Sequence, residues 1–196
     1  RIDRAHRPLR NWLCSTSLVV LAAAMPVGAV HAQEWTGTVS TDWGAAGNWQ
    51  GGSLPTAVGD VFINSEGAGW PVINGGTRVA NRVVIGDSAD GGNLTIMGGG
   101  VLNTSDSVDI GFNNIGSAIV TGGGSAWNIA SQLELGFLGT GTLTISNNGL
   151  VNSEDGYLSN RAQGSGTANV NSGGTWINSR DLFVGYQGTG ALNIAS

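Results

Sequence analysis

The feature that most constrains this chain is a repeat of about 25 residues in its second half. The segments Val83-Val84-Ile85-Gly86, Val108-Asp109-Ile110-Gly111, Leu133-Glu134-Leu135-Gly136, Tyr157-Leu158-Ser159-Asn160 and Leu182-Phe183-Val184-Gly185 recur at spacings of 25, 25, 24 and 25. A second column, Leu94-Thr95-Ile96, Ala118-Ile119-Val120, Leu143-Thr144-Ile145, Ala168-Asn169-Val170 and Leu192-Asn193-Ile194, recurs at 24, 25, 25 and 24. A third holds Leu102, Trp127, Val151 and Trp176, at 25, 24 and 25. Each unit has three short pieces of alternating apolar and polar residues, and a period of two is the signature of a strand. Three strands in about 25 residues make one coil of a right-handed parallel β-helix. The expected fold is therefore all-β, with each column an in-register ladder along coils about 4.8 Å apart.

Turn chemistry agrees. Gly makes up 34 of 196 residues, well above the usual share of about 7%. Gly86, Gly111, Gly136 and Gly185 close the first strand of their coils, where positive φ is needed, and Asn160 stands at that place in the coil 156–180. That coil is the degenerate one. No Pro follows Pro71, as unbroken backbone ladders require. An antiparallel barrel or sandwich would not explain the fixed period. The inward columns hold Val, Ile, Leu and Ala, and the column Val84, Asp109, Glu134, Leu158 and Phe183 is expected to face outward, with Asp109 in water. The chain stops inside its fifth repeat, so a longer parent protein is expected.

Residues 1–32 read as a signal peptide. Four Arg precede the apolar run Leu18 to Met25, Pro26 breaks it, and Val30-His31-Ala32 offers a cleavage site before Gln33. The run is too short to span a hydrocarbon core of about 30 Å as a helix. Cys14, His6 and His31 all lie in this leader, and the whole chain lacks Lys. Without Cys, His or Lys, the exported part has no means for Ser-His-Asp or Cys-His catalysis, imidazole or thiolate metal sites, Schiff bases or a Walker A loop. No cofactor is expected. Beyond the leader, four Arg face twelve Asp and Glu, a net charge of −8. That sign opposes nucleic-acid binding.

Residues 33–75 do not follow the repeat. They carry Trp35, Trp43, Trp49 and Trp70. Large aromatic surface suits a cap over the open end of a Val/Ile core, and the alternative is a sugar-stacking platform. The expected organisation is a leader over 1–32, an aromatic-rich cap over 33–75 and β-helix repeats over 76–196.

The units Leu-Gly-Phe-Leu-Gly-Thr-Gly-Thr-Leu-Thr-Ile-Ser (135–146) and Val-Gly-Tyr-Gln-Gly-Thr-Gly-Ala-Leu-Asn-Ile-Ala (184–195) resemble the repeat of type V secretion (autotransporter) and PEP-CTERM-associated surface proteins. Gly124-Ser125-Ala126-Trp127 and Gly174-Thr175-Trp176 resemble its turn. The stretch from Trp35 through Asn48-Trp49 to Leu54-Pro55 is similar to the start of autotransporter passengers. The resemblance covers residues 33–196. It implies a non-enzymatic passenger at the surface of a Gram-negative bacterium, in adhesion, aggregation or biofilm. It further implies export by the Sec machinery, carriage by a C-terminal barrel through the outer-membrane assembly machinery, and contact with host surface, polysaccharide or like chains. The alternatives are a PEP-CTERM-type matrix protein and a β-helical polysaccharide-acting enzyme.

Three motif types compete with that reading. Gly139-Thr140-Gly141, Gly164-Ser165-Gly166 and Gly188-Thr189-Gly190 precede no helical pattern, so they read as repeat turns and not phosphate loops. Asp90-Gly91-Gly92-Asn93 does not recur, as a calcium-binding repeat would. Glu154 with Asp155, and Asp106 with Asp109, offer paired carboxylates of the kind a glycosidase uses, but most of them lie at turns with no basic cluster, and they read as solvated surface acids. Phe112, Phe137 and Tyr186 follow the turn glycine in three coils, with Asp87 and Arg161 in the others, as an aromatic edge or a contact stripe. Trp127 and Trp176, two coils apart, read as corner packing or as contacts. These five aromatics are the candidate partner residues.

Overall fold

A computed structural model describes residues 32–67 and 69–196. The leader 1–32 lies, but for Ala32, outside the described residues. Three parallel sheets run the length of the molecule and form a β-solenoid of about six turns. The first sheet stacks Gln33–Glu34, Val61–Ile63, Val83–Ile85, Val108–Ile110, Leu133–Leu135, Gly156–Leu158 and Leu182–Val184. The second stacks Thr77–Ala80, Val101–Thr104, Ala126–Ile129, Leu150–Ser153 and Thr175–Asn178. The third stacks Val72–Asn74, Gly92–Met97, Ile115–Thr121, Thr140–Ser146, Ser165–Val170 and Thr189–Ile194.

The core is the set of inward columns. Val83, Ile85, Val108, Ile110, Leu133 and Leu135 are fully buried, with Leu94, Ile96, Val120, Leu143 and Ile145 across from them. Ile85, Ile110 and Leu135 are in-register neighbours. The third column points inward as well. Leu102, Trp127 and Val151 are buried, and the Trp127 indole N–H donates to Thr104 Oγ1 at 2.9 Å.

Two kinds of glycine hold the turns. Gly136 has φ +73°, a left-handed conformation in which a Cβ is strained. Gly141 has an ordinary φ, but a Cβ there would strike the Ile110 carbonyl oxygen of the preceding coil. The first position favours glycine through its conformation and the second through the space that a side chain would need.

The register corrects three expectations. In the degenerate coil Leu133 pairs with Gly156, and Gly156 with Leu182, so one interval is shorter than the repeat and the next is longer. Tyr157, not Leu158, therefore sits between Glu134 and Phe183, while Leu158 points into the core at full burial. The turn position falls on Ser159, with φ +66°, and not on Asn160. The Ser159 hydroxyl donates to the Gly164 carbonyl at 2.7 Å, which helps hold a conformation that a non-glycine residue adopts at a cost of about 1–3 kcal/mol.

The second correction concerns residues 33–75. Val61–Ile63 pairs with Val83–Ile85, and Val72–Asn74 with Thr95–Met97, at intervals shorter than the repeat. These strands are already rungs of the solenoid, hidden from a 24–25 period by shorter turns. Around them, Trp35, Trp43 and Trp49 are buried and pack edge to face, with ring centroids 5.1 and 4.7 Å apart. Buried Asn48 ties this segment together. Its Oδ1 accepts from the backbone N–H of Val39 and Ser40, and its Nδ2 donates to the Ser40 hydroxyl and the Asp42 carbonyl. The third correction is to the outward column, and it defines the candidate site.

Candidate functional site: a buried carboxylate pair beside stacked aromatic rings

Val84, Asp109 and Glu134 point away from the core on the first sheet, yet they are 1%, 3% and 1% exposed. Asp109 does not face water. Alternation along a strand sets the direction of a side chain, but neighbouring coils decide whether that direction is covered. Here the cover comes from turns and strand ends. Arg82, one residue before its strand, donates from Nε to Asp109 Oδ2 at 2.8 Å and also pairs through Nη2. The same guanidinium stands 5.4 Å from the Phe112 ring centroid. Phe112 stacks on Phe137, with centroids 4.9 Å apart and planes 3° from parallel. Arg161 stands 4.9 Å from the Phe137 centroid. Two arginines thus flank a pair of stacked rings beside the two acids.

Asp109 and Glu134 are in-register partners on adjacent strands, a spacing of about 4.8 Å. Asp109 is compensated by Arg82. Glu134 is not: its Oε2 has only a long contact of 3.5 Å from Asn160 Nδ2, and its Oε1 is buried without a partner. Burial pushes the Asp109 carboxyl up, and the Arg82 charge opposes that. Burial, and then the neighbouring Asp109, push Glu134 up to about 7, against weaker opposition from Asn160, Arg161 and Arg82. Like charges at this distance resist joint ionisation.

A pair of carboxyl groups is what a glycosidase needs. Access is what this pair lacks, since neither side chain meets solvent enough to touch a sugar. Among the described residues no group of three or more His, Cys, Asp or Glu comes together as for a metal ion.

The candidate aromatics separate into different roles. Phe112 and Phe137 belong to the acid site as half-buried, stacked rings. Tyr186 is not part of their stack. It meets Phe183 and Tyr157 edge to face, at 5.4 and 6.4 Å, and Tyr157 and Phe183 stack at 4.8 Å. In the weak coil Arg161, and not an aromatic ring, stands over Phe137, so the three residues do not form one continuous stack. Trp127 is wholly buried, while Trp176 is half-buried with its indole N–H on Ser153 Oγ at 3.1 Å. Both are packing residues in the third column.

The other proposed acid pairs also resolve. Glu154 and Asp155 are half-buried at a corner beside exposed Arg180, whose Nε is 3.2 Å from Glu154 and whose Nη1 is 4.0 Å from Asp155. Asp109 pairs across the ladder with Glu134 and not with Asp106. The signal for this was present in the sequence: Asp109 and Glu134 occupy one column of successive repeats, and Arg82 precedes Asp109 by one coil plus two residues. Reading that column as solvated concealed it. Tyr157 was missed through the one-residue slip in the weak coil. No protein-family model, curated protein or solved structure matches this chain.

Proposed function

We propose that this chain is a non-enzymatic β-solenoid passenger displayed at the surface of a Gram-negative bacterium, where it serves adhesion, aggregation or biofilm cohesion. The observation that carries the reading is the regularity of the outward polar ladders. Asn152 donates to Asn128 at 2.8 Å and Asn128 to Asn103 at 2.9 Å on the second sheet. On the third, Asn193 donates to Asn169 at 2.9 Å and Ser146 to Thr121 at 3.0 Å. Each added coil extends such a face by about 4.8 Å, so six turns give a rod of roughly 30 Å. A solenoid of this kind gains reach and repeated contact surface by adding units, which is what surface display uses.

Three further observations support the proposal. The Arg-rich apolar leader suits Sec export. The Trp35–Trp43–Trp49 cluster joins the hydrophobic core at the amino-terminal rungs, as a cap over the first coils would. The acid pair best fitted to glycosidase chemistry is closed to substrate, which favours this reading over a polysaccharide-acting enzyme. The partners in this reading are the Sec and outer-membrane assembly machineries, the second acting through a barrel domain.

The test is expression of the full protein in a Gram-negative host, followed by protease shaving of intact cells and a settling assay. Accessible chain and faster settling than leader-deleted cells are expected. Retention inside the cell overturns the display reading. Polysaccharide turnover by the purified chain that Glu154→Ala or Asp155→Ala abolishes overturns the non-enzymatic one.

A further inference from the structure

Three of the four tryptophans of residues 33–75 are buried in packing, and the fourth is not. Trp70 is half-buried, packed on the core cluster by part of its surface. It lines an open groove of about 230 Å³ together with Asp90, Gly91, Asn93, Ile115 and Ser117. The groove is built by three separate pieces of chain: the loop before Val72, the turn before Gly92 and the strand Ile115–Thr121.

We infer that this groove binds one pyranose ring of a neutral polysaccharide. An indole offers a flat apolar surface against which the C–H face of a sugar packs by dispersion. Ile115, 69% exposed, adds an apolar wall. The polar groups supply the complement. Asn93 and Ser117 are in-register neighbours whose side chains have no hydrogen-bond partner among the described residues, while outward Asn103, Asn128, Asn152, Asn169 and Asn193 bond to one another. Asp90 is an exposed carboxylate, acceptor only, beside an amide and a hydroxyl that both donate and accept. That set matches vicinal hydroxyls.

Size and charge narrow the class. The groove is smaller than the pockets that enclose drug-sized ligands, which start at about 300 Å³, so a single ring fits, with the rest of a glycan outside. The excess of acids beyond the leader, twelve against four Arg, disfavours uronic or sulfated sugars.

This inference deepens the adhesive reading and rests on it for its biological setting. The test is native electrophoresis of the full chain, purified after export, in gels containing mannan, galactomannan, xylan or hydroxyethylcellulose. Retardation by at least one polymer is expected. Trp70→Ala should weaken it at least tenfold, Trp70→Phe should retain part of it, and Ile177→Ala, on another face, should leave it unchanged. Circular dichroism of each variant separates loss of the groove from loss of the fold. No retardation by any of the four polymers overturns the inference, as does retardation that folded Trp70→Ala and Asp90→Asn leave intact. A chain displayed on cells but never retarded refutes the groove alone; a retarded chain that never reaches the surface refutes the display reading alone.

Discussion

Replacing Glu134 by Gln should stabilise the protein at alkaline pH and do nothing at acid pH. Glu134 is held at about 7 in the folded chain, against an ordinary 4.5. Between those two values the folded state keeps a proton that the unfolded state has released. The stability that Glu134 contributes is therefore greatest below about pH 4.5, falls as pH rises towards 7, and is flat above. At about 1.4 kcal/mol for each pH unit of difference, the ionised side chain costs about 3 kcal/mol at pH 8. Gln has the shape of the protonated acid and cannot ionise. At pH 8 the variant should exceed the wild type by up to about 3 kcal/mol, and at pH 4.5 the two should agree within about 0.5. The groups facing Glu134 are Asp109, Asn160, Arg161, Arg82 and, on the next strand, Tyr157. Asp109 is also raised, so its contribution has the same sign; because the two acids interact, the variant relieves Asp109 as well, and the gain at pH 8 belongs to the pair. The assay is urea unfolding at the two pH values, with hydrogen exchange of the amides in Val108–Ile110 and Leu133–Leu135 as the local reading. Variant and wild type differing equally at pH 4.5 and 8 would refute the argument, because the effect would then be packing and not ionisation.

Three other outcomes follow from the same geometry. Arg82→Ala leaves Asp109 buried without its cation, and should cost about 1–3 kcal/mol at pH 8 by urea melts; Asp109→Asn in the same background should recover part of that loss. Ile110→Ala deletes a fully buried side chain and should cost about 2–5 kcal/mol, with protection lost first in the coils next to it, seen by hydrogen exchange. Gly141→Ala places a methyl against the Ile110 carbonyl oxygen and should reduce the yield of folded chain or lower the thermal midpoint. Gly123→Ala, where a Cβ meets nothing within 4 Å and φ is not positive, should leave that midpoint unchanged.

The solenoid itself was legible in the sequence because its cause is local and repeated. A strand's inward residues must match those of the next coil, so Val83, Val108 and Leu133 recur at a fixed interval and the ladder follows. The inward direction of Ile110, the left-handed turns at Gly111 and Gly136, and the packing role of Trp127 all rest on that recurrence. Where the interval changes, recurrence fails as a guide. Gly156 has no side chain to mark its column and Ser159 replaces the turn glycine, so the weak coil reads one residue out of step. The rungs at Val61–Ile63 and Val72–Asn74 stay hidden because their turns are shorter.

The candidate sites belong to the tertiary structure. Alternation placed Asp109 and Glu134 on the outer face, but burial there depends on what neighbouring coils bring over it. Arg82 arrives from the coil before Asp109, and Arg161 from the coil after Glu134, each through a turn whose path no periodicity describes. The raised affinity of Glu134 for its proton is the sum of those placements: water excluded, one acid adjacent, and Arg82 already committed to Asp109. The groove at Trp70 has the same origin. Composition marked four tryptophans as alike, and only the packing of the segment before Val72 against two turns of the solenoid buried three of them and left the fourth beside Asp90, Asn93 and Ser117.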